Sequence, residues 1–95
     1  MKFAICNETF VDWEWERMLE CIARLGYDGV EVAPFTLADR ASEISDQRRR
    51  DLRNAALGGG VPVVGLHWLV VKPEGLYVTT PDDEIRNRTA DYFVD

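Results

Sequence analysis

Few side chains in this chain combine reactive chemistry with a setting that makes it count. His67 is the only histidine, and it closes the apolar run Val63-Val64-Gly65-Leu66. An imidazole there can exchange a proton near neutral pH or bond a ligand hydroxyl. Glu31 interrupts the run Gly29-Val30-Glu31-Val32-Ala33, so a carboxylate falls in the middle of an otherwise apolar strand pattern. An unpaired charge in such a place is costly, and the sequence therefore predicts a partner for it. Asn7 and Glu8 follow the apolar run that ends at Cys6, and Phe35 follows Ala33-Pro34. Polar groups and a ring at the ends of short apolar runs are candidate binding residues. Each also has a structural alternative: a hydrogen-bonded core histidine, a buried ion pair, or loop residues that only cap and solvate. No Ser/His/Asp set, phosphate-binding glycine loop or Cys-x-x-Cys pair is present.

The elements that must position these residues alternate. Lys2 to Cys6 reads as a first strand, followed by a helix over Trp13 to Leu25. Asp12 is its candidate N-cap, Trp15, Met18, Leu19, Ile22 and Leu25 recur at helical spacing, and Gly26 supplies the stop. Gly29 to Ala33 is the second strand, and Pro34 to Ile44 a loop with one helical turn near Leu37 to Arg40. Ser45 caps a second helix running to Leu57, with Leu52, Ala55 and Ala56 inward, and Gly58-Gly59-Gly60 ends it. Pro62 to Trp68 is the third strand, with a long loop after it. Thr80-Pro81-Asp82-Asp83 then opens a third helix: a cap at Thr80, proline at the first position and acidic residues in the first turn. That helix carries Ile85, Thr89, Tyr92 and Phe93 on one face up to Asp95 without a stop signal, which predicts the beginning of a longer array of such units.

Strict strand–helix alternation requires crossover connections and a parallel sheet. An open nucleotide-binding sheet would place glycines in the first strand-to-helix turn; here Cys6-Asn7-Glu8-Thr9-Phe10 contains none. Strand periodicity points instead to a barrel. Phe3 and Ile5, Val30 and Val32, and Val64, Leu66 and Trp68 form one large apolar face. Ala4 and Cys6, Glu31 and Ala33, and Val63, Gly65 and His67 form the other, smaller and more polar. Glu31 and His67 are therefore expected on one side, close enough to interact directly or through water. A barrel lumen with a site at its C-terminal mouth needs this division. The predicted fold is α/β, the N-terminal βαβαβα portion of a (β/α)8 barrel, with residues 1–95 as one partial domain.

Four segments, in order, carry a family resemblance: MKFAICNETF from Met1, LGYDGVEVAPF from Leu25, VGLHWLV from Val64 and TPDDEIRNRT from Thr80. Together they resemble the N-terminal part of the xylose-isomerase-like barrel superfamily, in its sugar-phosphate isomerase/epimerase branch. The resemblance implies a sugar or polyol substrate and proton transfer next to a carbonyl through an enediolate. It also implies a divalent metal (manganese, magnesium, cobalt or zinc) that stabilises the developing oxyanion. That family's metal ligands and catalytic glutamates lie mostly on strands four to eight. The three units alone are thus expected to be inactive and to bind no metal, and the catalytic residues are left unassigned. His67, Glu31, Asn7, Glu8 and Phe35 are the expected substrate-binding residues, with Phe35 a better wall for a sugar than Trp13 or Trp68, since Trp68 alternates outward with Leu66. In the related apurinic-endonuclease branch His67 would bind a metal. That branch is one alternative; a non-catalytic α/β interaction module is the other.

Composition narrows the partners. A net charge of −6 opposes a phosphate backbone, and the one basic cluster, Arg48 to Arg50, lies between Asp46 and Asp51, so no nucleic acid is expected. Cys6 and Cys21 lack metal-ligand spacing or a disulfide-rich background and read as buried free thiols. No leader-like or membrane-length apolar run is present, which predicts a reduced, cytoplasmic setting. A domain of 95 residues hides only a little over half of its unfolded surface, and three parallel strands leave two open edges. As an isolated monomer the chain is expected to be marginally stable, aggregation-prone or paired with another copy through those edges.

Overall fold

The computed structural model describes residues 1–94. Its order is β1 (Ala4–Cys6), α1 (Trp15–Arg24), β2 (Gly29–Val32), α2 (Asp46–Gly58), β3 (Val63–Leu66) and α3 (Asp83–Val94). The strands form one parallel sheet in the order β1-β2-β3. The α/β class, the βαβαβα order and the parallel pairing are as the sequence predicts.

Both inner helices stop where their glycines demand it. Gly26 has φ 83° and Gly60 φ 74°, conformations that cost a residue with a Cβ. In α1 the Tyr27 N–H donates to the Ile22 carbonyl (3.3 Å) and the Gly26 N–H to the Ala23 carbonyl (3.0 Å). Val61 to Ala56 and Gly60 to Leu57 repeat that pair at the end of α2, both at 3.1 Å. Each is a Schellman closure, which turns the chain back toward the sheet. Ser45 caps α2 as expected, its hydroxyl accepting from the Arg48 N–H at 3.2 Å.

The remaining boundaries shift for local reasons. Asp12 does not cap α1: it sits at φ 61° in the preceding turn, which aspartate tolerates, and the helix starts two residues beyond Trp13. Asp82, not Thr80, caps α3, its carboxylate accepting from the Glu84 and Ile85 N–H groups at 2.9 and 3.1 Å. The loop after β2 holds short turns at Pro34–Thr36 and Ala41–Glu43, not over Leu37 to Arg40.

The core lies on one side of the sheet. Trp15, Met18, Leu19 and Ile22 of α1 meet Leu52 and Ala56 of α2 over Val30 and Val32, with Ile5 packed against them. The Trp15 indole N–H donates to the Leu52 carbonyl (3.1 Å) and fixes the two helices together. By alternation the opposite face carries Cys6, Glu31 and Gly65, away from the core helices.

Strand β3 departs from simple alternation. Val63 pairs with Val30, but Gly65 pairs with Glu31, so Val64 is skipped in the ladder. A Cβ placed on Gly29, which shares the Glu31 face, would lie 2.5 Å from Val64 Cγ1. Val64 therefore lies on the Glu31 side and Val63 on the core side, the reverse of the expected assignment, while Gly65 and Leu66 face as predicted. This is the local outcome of a β-bulge, which re-aims one side chain. Leu66 also stays 61% exposed beside Val32, Leu57 and Val63, because α3 packs elsewhere. Its Thr89 hydroxyl accepts from the Tyr77 N–H (3.0 Å) and donates to the Ile85 carbonyl (2.7 Å), anchoring α3 on the loop after β3.

Candidate functional site

The C-terminal ends of the three strands converge on one cluster. Cys6 and Glu31 are register partners, the last residue of β1 beside the third of β2. His67 extends the next pairing by one residue, its N–H donating to the Val32 carbonyl at 2.8 Å. The chain then turns sharply at Trp68, whose φ of 53° is rare for a bulky side chain. The Trp68 ring stacks on the imidazole with centroids 5.6 Å apart and an interplanar angle of 22°. Glu8 enters from the single turn Asn7–Thr9 after β1. Ligand atoms of Cys6, Glu8 and His67 all lie within 4.8 Å of one another.

Glu31 joins them as predicted. Its Oε2 is 3.9 Å from His67 Nδ1, an ion-pair distance for a protonated imidazole and too long for a direct hydrogen bond. Gly65 is the register partner of Glu31, and a Cβ there would come to 3.8 Å from Glu31 Oε1, an ordinary van der Waals contact. Glu31 is not buried as its place in an apolar run suggests: its side chain is 43% exposed and that of His67 38%. No core helix covers this face, so water solvates the charge that a covered strand would have to pair.

Asn7 is placed as a tie within the wall. It is buried; its Oδ1 accepts from the Ala33 N–H (2.8 Å) and its Nδ2 donates to Thr36 Oγ1 (2.7 Å). The amide thus fixes the end of β1 to the turn after β2. Phe35 lies apart from His67, on a neighbouring cleft of about 580 Å³ that also meets Asn7, Glu8, Trp13 and Leu37. Neither Glu31 nor His67 lines that cleft; Glu8 belongs to both places. Trp13 is edge-on to Phe10 at 5.5 Å, and the Arg17 guanidinium lies 4.5 Å over its ring.

Two members of the site, Cys6 and Trp68, are not among the binding residues expected from sequence. Cys6 reads there as an inert buried thiol, yet its alternation with Ile5 already places it on the Glu31 face. Burial holds its thiol above the ordinary value of 9.0, and the carboxylates of Glu8 and Glu31 add to the rise against two opposing backbone hydrogen bonds. Trp68 reads as helix–strand core, but it is 58% exposed and stacked on His67. Only its left-handed backbone separates the two outcomes, and nothing in the residue type signals that. Comparison with family models, curated proteins and solved structures finds no match for the chain.

Proposed function

We propose that this chain builds one wall of a sugar or sugar-phosphate isomerase/epimerase site of the xylose-isomerase-like kind. The observation that carries the reading is the meeting of Glu31 and His67 at the C-terminal ends of adjacent parallel strands, on the face away from the core helices. His67 would bond a substrate hydroxyl, and Glu31 and Glu8 would accept from others, orienting a polyol chain along the strand ends. A divalent cation bound in such a site polarises the carbonyl and lowers the cost of removing the adjacent proton. Three strands do not close a barrel, so the wall would act with strands paired onto its open edges.

Solvent-proton exchange tests the reading without requiring a full turnover. In D2O with Mn2+ or Zn2+, the chain with its open edges completed to a closed barrel by further strands should carry deuterium into aldose and ketose phosphates at the carbon next to the carbonyl, read by NMR. Glu31→Gln and His67→Ala should each slow that exchange. Absence of exchange above the protein-free rate for every sugar in the panel would count against the proposal.

A further inference from the structure

We propose that Cys6, Glu8 and His67 form a zinc site at the mouth of the sheet, with Glu31 as the charge that orients the imidazole or closes the fourth position. The ends of two strands supply the donors, sulfur and oxygen from Cys6 and Glu8 at the end of β1 and nitrogen from His67 after β3, and their ligand atoms already lie within 4.8 Å of one another. A tetrahedral zinc with bonds of about 2.0–2.3 Å requires donors roughly 3.5 Å apart, so side-chain rotations alone close the shell. The backbone is fixed: Cys6 and Glu31 are register partners and His67 is bonded to Val32.

The donor chemistry selects the metal. Thiolate and imidazole favour zinc or cobalt, whereas magnesium and manganese favour shells of oxygen. Charge points the same way, since Glu8 and Glu31 have no arginine or lysine ion-pair partner among the described residues. One thiolate and one carboxylate neutralise Zn2+, and the second carboxylate stands beside it. On binding, the S–H bond breaks, a Zn–S bond forms and the proton leaves to solvent, with no change of oxidation state. The Trp68 ring stacks on one face of the His67 imidazole and limits its rotation.

This site shares Glu8, Glu31 and His67 with the isomerase reading but does not need it: cation binding without proton exchange would keep the zinc site and reject that reading. The test is titration of the reduced chain with Co2+ as a spectroscopic probe, followed by Zn2+. One equivalent should give an intense near-ultraviolet thiolate-to-cobalt band and tetrahedral visible bands, both displaced by zinc. Cys6→Ser, which preserves the shape, should abolish the thiolate band. Glu8→Gln and His67→Ala should weaken binding by about tenfold or more, and Glu31→Gln by about tenfold. Cys21→Ala should change nothing. A thiolate band that survives Cys6→Ser, one that vanishes with Cys21→Ala, or no cobalt binding by the wild-type chain would each overturn the proposal.

Discussion

Asn7 and Trp68 are the two positions where a single side chain does most to shape the cluster, and they do so in opposite ways. Asn7 satisfies a buried backbone donor. Asn7→Ala should leave the Ala33 N–H unpaired and cost about 1–3 kcal/mol, read as a lower urea midpoint with an unchanged slope. A loss within error would show that water replaces the amide. Trp68 instead holds a strained φ of 53° while its ring supports His67. Trp68→Gly should relieve about 1 kcal/mol of backbone strain, raising stability, and at the same time broaden the His67 ring resonances. Lower stability would mean that ring contacts outweigh the strain.

At the scale of elements, the β2–β3 pairing depends on Gly29. A methyl there would meet Val64 Cγ1 at 2.5 Å and the Pro62 carbonyl at 3.0 Å, and that carbonyl accepts from the Val30 N–H. Gly29→Ala should therefore cost about 1–3 kcal/mol, and adding Val64→Ala should recover only part of it, because the backbone contact remains. Full recovery in thermal unfolding would place the whole clash in the Val64 side chain. The same strand pair shows how far the sequence can be read. Period-two patterning and paired helix-stop glycines are local, so strand order, both Schellman ends and the Glu31–His67 meeting are legible in it. The skipped residue at Val64 and the turn at Trp68 are outcomes of pairing against β2, and no residue type announces them. Asn7 is likewise ambiguous from sequence, since a polar residue after a strand can face ligand or backbone, and only the position of the Ala33 N–H decides.

At the scale of the whole molecule, α3 and its loop stand away from the core. The radius of gyration is 14.8 Å, against roughly 12 Å for a compact chain of this length. The edge strand β3 is consequently exposed on both faces, with Val64 at 57% and Leu66 at 61%. Such an edge invites pairing. Sedimentation should show concentration-dependent association that Val64→Lys with Leu66→Lys suppresses; association unaffected by the pair would move the contact elsewhere. No helix among the described residues is long and apolar enough to cross a membrane. Both proposed roles of the site require Cys6, Glu31 and His67 to share the face away from α1 and α2. Nuclear Overhauser contacts of the His67 ring protons in the metal-free chain test this most directly. Cross-peaks to the side chains of Cys6 and Glu31, with none to Leu52 or Ile22, are predicted. Cross-peaks from the His67 ring to Leu52 or Ile22 would contradict it.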